Sequence, residues 1–262
     1  MTLHTMELGD HGSRVVFLHG LFGQGRNWTA IGKALAGDHR VQLVDLPHHG
    51  RSPWADHFDY ADVVAQVAGL LSADDPVTLV GHSLGGKIAM LLTLLHPDLV
   101  ERLCVVDMSP VDYERNPAGG LARYARALRS LDLSAASSRE DADRMLAAEV
   151  DDPGVRAFLL QNLRRDGDGW RWQANLEVLE RDMGTIAAWP EELLAGAAPY
   201  DGPVLWLAGD LSDYVTDDHA DDMTRWFPRA RRVTVKKAGH WVHSEQPDVV
   251  VESLRRFLRA PA

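Results

Sequence analysis

The chain has 262 residues, of which 45% are hydrophobic and 25% are charged, a composition typical of globular proteins. This length fits one large α/β domain or a core with one insertion. The formal net charge of −11 disfavours nucleic acid and anionic membrane surfaces as partners. The single cysteine, Cys104, cannot form an internal disulfide and lies in an apolar run, so it is predicted to fill core space.

Neither a targeting signal nor a membrane span is predicted. The N-terminal residues lack the basic region and the apolar stretch of a secretory signal. No apolar run approaches the roughly 20 residues that cross a bilayer. We therefore expect a soluble cytoplasmic protein with no nucleic-acid or membrane partner. The oligomeric state is left open between a monomer and a homodimer.

Predicted strands and helices alternate up to residue 109. In chain order they are a strand at 3–8, a strand at 14–18, a helix at 27–36 capped by Asn27, a strand at 41–44, a helix at 60–71, a strand at 77–80, a helix at 88–95 and a strand at 103–106. The strands are almost continuously apolar. That pattern predicts a mostly parallel sheet with helices on both faces.

Residues 110–200 interrupt this alternation. The stretch contains no strand-like run, and its spacing predicts amphipathic helices at 121–131, 139–150, 155–163 and 176–183, with a turn at 167–172 in which a short extended piece is left open. A strand at 204–208, a helix at 217–226, a strand at 232–235 and a helix at 249–258 follow. We therefore expect a core of residues 1–109 and 201–262 with an inserted helical cap of residues 110–200.

A G-x-S-x-G motif lies between a predicted strand and a predicted helix, in the sequence VTLVGHSLGGKIAM at residues 77–90. A serine on such a tight turn has a strained backbone, and its neighbours must be small for the turn to close. The following helix N-terminus favours a developing negative charge. In this context the motif predicts Ser83 as a nucleophile. The alternative is an ordinary glycine-rich turn with a surface serine.

A serine nucleophile needs a base, and the base needs a group that orients it. His240 follows the last predicted strand, at the sheet edge where the serine also lies, and is the predicted base. His243 is assigned to packing or hydrogen bonding. For either histidine, the alternative is a surface residue without a catalytic role.

The acid is harder to assign. In most proteins of this type it lies three residues beyond the position of Gly209, where this chain has Ser212. Asp107 ends the strand after the serine motif and is the favoured acid, and Ser212 would then hydrogen-bond the Asp107–His240 pair. Asp213 is the alternative acid. Asp107 could instead cap a loop, and Asp213 could be a solvated loop charge.

Acyl transfer also needs donors for the tetrahedral oxyanion. The backbone N–H of Leu84, directly after the nucleophile, is one predicted donor. The second is expected from the loop after the strand at 14–18, where Gly20 allows a close approach. We assign it to the N–H of Leu21, with Phe22 as the nearest competitor.

These residues resemble the α/β-hydrolase superfamily over the whole chain, most closely the YbfF-type small bacterial esterases and their mitochondrial relatives. The shared motifs are HGLFG at 19–23, D-x-x-x-H-G-x-S at 45–52, GHSLGGK at 81–87, DMSPVDY at 107–113 and AGHWVHSEQPD at 238–248. The resemblance implies the α/β-hydrolase fold, with the acid after the strand that follows the motif and a serine at the usual acid position. Asp107 and Ser212 match both places.

The resemblance also implies a carboxylic-ester hydrolase that acts on short acyl chains of small-molecule esters, with thioesters as a further candidate substrate. The chain departs from the group at Pro47-His48, where an Arg-Asn pair is more usual, and at Asp213, where the group often has no acid. Candidates for lining the acyl and alcohol pockets, although core packing is the commoner role, are Tyr113, Tyr124, Phe158, Leu159, Trp189 and Trp206.

No cofactor or metal is expected. His48 and His49 are adjacent, but no third ligand follows at a suitable spacing, and Gly23-Gln24-Gly25 lacks the full dinucleotide pattern. Two other functions stay open: another Ser-His-Asp reaction, such as carbon–carbon bond hydrolysis or cofactor-free haloperoxidase chemistry, and a non-catalytic binding protein that retains the fold.

Overall fold

The computed structural model describes residues 2–113 and 121–260. Its strands are β1 (Thr5–Leu8), β2 (Arg14–Leu18), β3 (Arg40–Val44), β4 (Val77–His82), β5 (Val100–Val106), β6 (Leu163–Asp166), β7 (Gly169–Trp172), β8 (Val204–Gly209) and β9 (Ala230–Val235). Its α-helices are α1 (Thr29–Leu35), α2 (Tyr60–Ala68), α3 (Leu84–Leu95), α4 (Leu121–Ser130), α5 (Arg139–Leu146), α6 (Pro153–Leu159), α7 (Leu176–Arg181), α8 (Met183–Ala187), α9 (Ala220–Trp226), α10 (Val242–Glu245) and α11 (Pro247–Arg259). Short 3₁₀ turns lie at Gly25–Trp28, Pro97–Leu99, Leu133–Ala135, Leu160–Asn162, Glu191–Leu194 and Asp217–His219.

Within the described residues, seven strands form one sheet in the order β1-β3-β2-β4-β5-β8-β9. β1 runs antiparallel to β3, and the other neighbouring pairs are parallel. The predicted mostly parallel sheet is confirmed. Because the carboxyl ends of parallel strands meet at one edge, the loops after β2, β4, β5, β8 and β9 all lie on the same side of the molecule.

Helices cover both faces of this sheet. Along β2, Val16 and Leu18 belong to a hydrophobic cluster shared with α2 and α3. Val15 and Phe17 belong to a second cluster, shared with α1 and α11. Alternate residues of a strand point to opposite faces, so burial on both sides requires the nearly continuous apolar strands seen in the sequence.

The segment between β5 and β8 is mostly helical, but it also contains an antiparallel pair of strands. β6 and β7 pair from Leu163 with Trp172 to Asp166 with Gly169, around a turn in which Gly167 has a φ of 56°. No strand-like run was predicted here, so β6 was missed, whereas β7 lies within the predicted turn at 167–172, where a short extended piece was left open. The predicted helix at 155–163 was too long, because α6 ends at Leu159 and the chain enters β6 after one 3₁₀ turn.

This inserted segment packs against the sheet domain. Leu128, Leu146, Leu159 and Ile186 belong to the same hydrophobic cluster as Leu91 of α3. The division into a core of residues 1–109 and 201–262 and a cap of residues 110–200 stays a prediction. Residues 114–120 of that cap, like residues 1 and 261–262 of that core, lie outside the described residues.

The first helix begins differently from the prediction. Asn27 lies inside the 3₁₀ turn, and α1 begins two residues later. The Asn27 side chain accepts a hydrogen bond from the Gln24 N–H at 2.6 Å and donates one to Gln161 Oε1 at 2.6 Å. It therefore completes a capping box on the 3₁₀ turn and links that turn to the inserted segment, but it does not cap α1. Among the described residues, no helix is long and apolar enough to cross a membrane.

The turn from β4 to α3 is sharply constrained. Ser83 has φ 54° and ψ −119°, a strained conformation for a residue with a side chain. A Cβ at Gly81 would clash with the Gly85 backbone, and a Cβ at Gly85 would lie 2.6 Å from the carbonyl oxygens of Leu18 and His19. Only glycine lets the three backbone segments approach this closely.

We predict that Gly85→Ala destabilises the fold by about 1–3 kcal/mol or more, because the added methyl group meets backbone that cannot move aside. Urea unfolding measures this loss. Gly37→Ala is the control, since a Cβ there would meet no described non-neighbouring atom within 4 Å. Equal unfolding free energies for the two variants would contradict the prediction.

Candidate active site

Three predicted residues from three different loops lie in one hydrogen-bonded row at the carboxyl edge of the sheet. His240 Nε2 lies 3.0 Å from Ser83 Oγ. His240 Nδ1 lies 2.8 Å from Asp107 Oδ2. Because the carboxylate can only accept, Nδ1 carries the proton and Nε2 is left to accept from the Ser83 hydroxyl. The structure thus brings Ser83, His240 and Asp107 together in the order that nucleophilic catalysis requires.

The carboxylate of Asp107 is completely buried and held by several donors. Its Oδ1 accepts from the Gly209 N–H at 3.0 Å. Its Oδ2 accepts from the Ser212 hydroxyl as well as from His240. The backbone of Asp107 has a φ of 51°, and its N–H donates to the Leu207 carbonyl at 2.8 Å. Such donors offset the cost of burying a carboxylate.

The alternative acid occupies a different place. Asp213 is exposed and lines the cavity in front of Ser83. Within residues 2–113 and 121–260, no hydrogen bond or ion pair joins its side chain to His240. The structure therefore places Asp107, and not Asp213, beside the predicted base.

An aromatic side chain that the sequence did not single out supports the base. The ring of Tyr214 stacks on the His240 ring with centroids 3.9 Å apart and an interplanar angle of 21°. The Tyr214 carbonyl accepts from Ser109 Oγ at 2.9 Å and from the Tyr113 hydroxyl at 2.5 Å. These two donors belong to the DMSPVDY motif. Burial raises the pKa of Tyr214 to about 12, so its phenol stays neutral.

The residue before the nucleophile was also missed. His82 Nε2–H donates to the His240 carbonyl at 2.8 Å, and the two rings lie 4.8 Å apart. A Cβ on Gly20 would lie 2.8 Å from His82 Nδ1 and 3.1 Å from the Ser83 Cβ. His82 thus joins the nucleophile turn to the base loop and packs against the loop after β2. The only sequence signal for this role was its position inside the G-x-S-x-G motif.

The backbone donors predicted for the oxyanion open into the same cavity as Ser83. Leu21 and Leu84 both line it. The competing N–H of Phe22 donates to His49 Nε2 at 3.1 Å, which commits it elsewhere. No acceptor in the described ranges pairs with the N–H of Leu21 or Leu84. This geometry favours the predicted pair over one that uses Phe22.

The D-x-x-x-H-G-x-S motif fixes the loop that carries His49. Asp45 accepts from the N–H groups of Gly25 at 2.7 Å and Arg51 at 2.9 Å. The Ser52 hydroxyl donates to the Asp45 carbonyl at 2.5 Å. His49 Nδ1–H donates to the Pro47 carbonyl at 2.9 Å, which leaves Nε2 as the acceptor for Phe22. The motif therefore affects the site indirectly, by fixing the conformation of the loop that carries His49.

Four buried histidines surround the site without carrying charge. Burial lowers the pKa of His19 and holds the pKa values of His49 and His82 well below the usual value. Burial also lowers the pKa of His243 to about 3. His243 stacks on Trp28 with ring centroids 4.4 Å apart, which agrees with its predicted packing role. All four are neutral near pH 7, so they hold the loops without competing with His240 for a proton.

A cavity of about 670 Å³ opens in front of Ser83 and His240. This volume is typical of small-molecule sites. A second recess of only about 10 Å³ shares Leu21, Ser83 and His240 with the large cavity. Of the predicted pocket residues, Tyr113 lines the cavity, while Tyr124, Phe158 and Leu159 line the recess. Trp206 is instead a core residue whose Nε1–H donates to the Met108 carbonyl at 2.6 Å, and Trp189 lines neither space.

Comparisons with known proteins agree with this geometry. The chain is 38% identical to the sn-1-specific diacylglycerol lipase of Mus musculus over 252 residues, which cover 93% of this chain and 80% of the relative. It is 34% identical to Esterase YbfF of Escherichia coli over 256 residues, covering 97% of this chain and 96% of the relative.

A solved structure of a marine microorganism esterase superimposes with a TM-score of 0.92 at 34% identity, covering 98% of this chain and 99% of that chain. A family model described as the alpha/beta hydrolase fold matches residues 13–247. The predicted resemblance is thereby confirmed, and the chain belongs to the α/β-hydrolase fold family.

Proposed function

We propose that this chain is a serine hydrolase that cleaves carboxylic esters with short acyl chains through an acyl-enzyme intermediate. The observation that carries the proposal is the row of Ser83, His240 and Asp107 at the floor of a cavity. The names of the relatives, esterase and lipase, support the same reaction class. Both names describe carboxylic-ester hydrolases.

In the proposed first half of the reaction, the Ser83 hydroxyl attacks the ester carbonyl while His240 Nε2 takes its proton. The buried carboxylate of Asp107 stabilises the imidazolium that forms. The carbonyl oxygen becomes an oxyanion, which the N–H groups of Leu21 and Leu84 would bind. Collapse of the tetrahedral species breaks the bond to the alcohol oxygen, and His240 protonates the leaving alcohol.

In the second half, a water molecule attacks the acyl group on Ser83. His240 again accepts a proton, and the same two N–H groups bind the second oxyanion. Collapse breaks the bond to Ser83 Oγ, which regains a proton from His240, and the carboxylic acid leaves. The same residues thus serve both halves, as microscopic reversibility favours.

The small recess supports the short acyl preference. It lies directly beside Ser83 and is enclosed by aromatic side chains, including Phe22, Tyr124, Phe158 and Trp241. At about 10 Å³ the recess has room for no more than about one water molecule, so an acyl chain that enters it must displace the packed rings, and each added methylene increases that cost. The larger cavity is then left for the alcohol portion of the ester.

We also propose that residues 110–200 act as a cap that shapes the cavity. α4 and α8 supply lining residues opposite Ser83. Lys87 of α3, only 1% exposed, donates to the carbonyls of Ala187 and Ala188, the latter at 2.6 Å. An ammonium at a helix C-terminus is favourable, so this buried contact fixes α8 over the nucleophile turn.

We predict that the wild-type chain hydrolyses p-nitrophenyl acetate and butyrate with kcat/KM at least about tenfold above the decanoate, because the recess excludes longer chains. Ser83→Ala should lower kcat by about a millionfold. Ser244→Ala, an exposed serine near His240, is the matched control. Initial rates over the ester series measure both effects.

A wider substrate panel separates the alternative functions. It includes acyl thioesters, a diacylglycerol, a carbon–carbon bond substrate and a haloperoxidase assay. The proposed function would be refuted by turnover of the carbon–carbon substrate alone, by activity in the haloperoxidase assay alone, or by ester hydrolysis in Ser83→Ala at a rate close to that of the wild type. A flat or rising response to chain length would refute the short acyl preference alone.

We predict that Asp107→Asn lowers kcat by about ten-thousandfold, because an amide favours the wrong histidine tautomer. Asp213→Asn makes the same change in the loop after β8 and should lower kcat far less. Steady-state kinetics on p-nitrophenyl butyrate, with circular dichroism to check folding, measure the difference. If Asp213→Asn showed the larger loss, the acid would be Asp213.

A further inference from the structure

Charged side chains at the large cavity are unevenly distributed. The apolar part of its lining includes Leu21, Met108, Leu121, Met183 and Ile186. Its described charged residues are three cations, Lys87, Arg123 and Arg126, and one carboxylate, Asp213. This excess of positive charge stands in a chain whose formal net charge is −11. A locally positive cavity in an acidic protein raises the local concentration of an anionic ligand.

Within the described residues, Arg123 and Arg126 form no ion pair, whereas the neighbouring Arg129 on the same helix does. α4 carries Arg123, Arg126 and Arg129 at intervals of three residues. Arg129 forms an ion pair with Glu180 at 2.5 Å. In residues 2–113 and 121–260, no carboxylate forms an ion pair with Arg123 or Arg126. Both residues are exposed and line the cavity. The Arg123 guanidinium also lies over the Tyr124 ring, 5.5 Å from its centroid, a contact that leaves its N–H donors for a ligand.

The other two charged residues at the cavity, Lys87 and Asp213, neither present a cation to a ligand nor neutralise the two arginines. Lys87 donates to backbone carbonyls of residues 186–188 and is buried, so its charge serves the packing of α8. Asp213 forms no ion pair with either arginine within the described residues. The lining of the cavity therefore holds two guanidinium groups that a negatively charged ligand can reach.

We propose that Arg123 and Arg126 bind an anionic group, a carboxylate or a phosphate, on the arm of the ester that occupies the large cavity. The planar guanidinium fork matches both anions and can bind them through two parallel hydrogen bonds. This inference rests on the proposed function, because the ester must lie at Ser83 for its remote arm to reach α4. The contact acts on binding, so it affects KM more than kcat.

The test uses ester pairs that differ in charge but little in shape. For an anion on the acyl arm, the pair is p-nitrophenyl hydrogen adipate and p-nitrophenyl adipamate. For an anion on the alcohol arm, it is 4-butyryloxybenzoate and 4-butyryloxybenzamide. In the wild type, the anionic member of one pair should have a kcat/KM about twofold to fivefold higher, the range expected for solvent-accessible ion pairs. The pair that shows the preference identifies the arm.

The double variant Arg123→Gln/Arg126→Gln should abolish this preference through a higher KM for the anionic ester. Arg129→Gln removes the same charge from the same helix outside the cavity and should leave the preference intact. High salt should weaken the wild-type preference. Equal kcat/KM for both members of both pairs in the wild type, or a preference that survives the double variant, would overturn the proposal.

A binding measurement keeps this proposal separate from the proposed function. Calorimetric titration compares adipate monoamide with adipamide, and 4-hydroxybenzoate with 4-hydroxybenzamide, in the wild type and the double variant. Tighter binding of one anion that is lost in the double variant supports the anion site even if no ester is hydrolysed, in which case only the proposed function fails. Equal binding of anion and amide in both series overturns the anion site.

Discussion

The arrangement of the site depends on the hydrogen bonds that one buried carboxylate, that of Asp107, must receive. Asp107 is fully shielded from solvent, so its oxygens must find donors within the protein. They find them in the Gly209 N–H, the Ser212 hydroxyl and the His240 imidazole. These three donors come from the end of β8, the loop after it and the loop after β9. The hydrogen bonds to Asp107 therefore position the imidazole that faces Ser83. Ser212, which stands at the usual acid position, donates a hydrogen bond to the acid.

Uncharged histidines complete the frame around that row. His82 holds the carbonyl of His240, and His49 occupies the N–H of Phe22. Burial keeps the pKa values of both well below the usual value, so each acts near pH 7 as a fixed donor or acceptor. The charge that would develop during reaction is thereby confined to His240 and to the oxyanion. This division of roles explains why so many histidines lie near one active centre.

Much of the site follows from chain order, because parallel strands deliver their following loops to one edge of the sheet. That rule alone is enough to place Ser83 and His240 together. Contacts between distant segments were not predictable, and the Tyr214 ring on the imidazole is one example. The ion pair of Arg129 with Glu180, 51 residues apart, is another, since nothing in α4 distinguishes this arginine from its neighbours. β6 was missed, and β7 was anticipated only as a short extended piece in a turn, because a run of four residues shows no clear period.

The claim that Ser83 is a nucleophile activated by His240 is tested most directly by covalent labelling. The chain is incubated with a fluorophosphonate, and its intact mass and its proteolytic peptides are measured. A single stoichiometric adduct on Ser83, formed at least about a hundredfold more slowly in His240→Ala, is the predicted result. An adduct on another residue, no adduct, or an equal labelling rate in His240→Ala would contradict it.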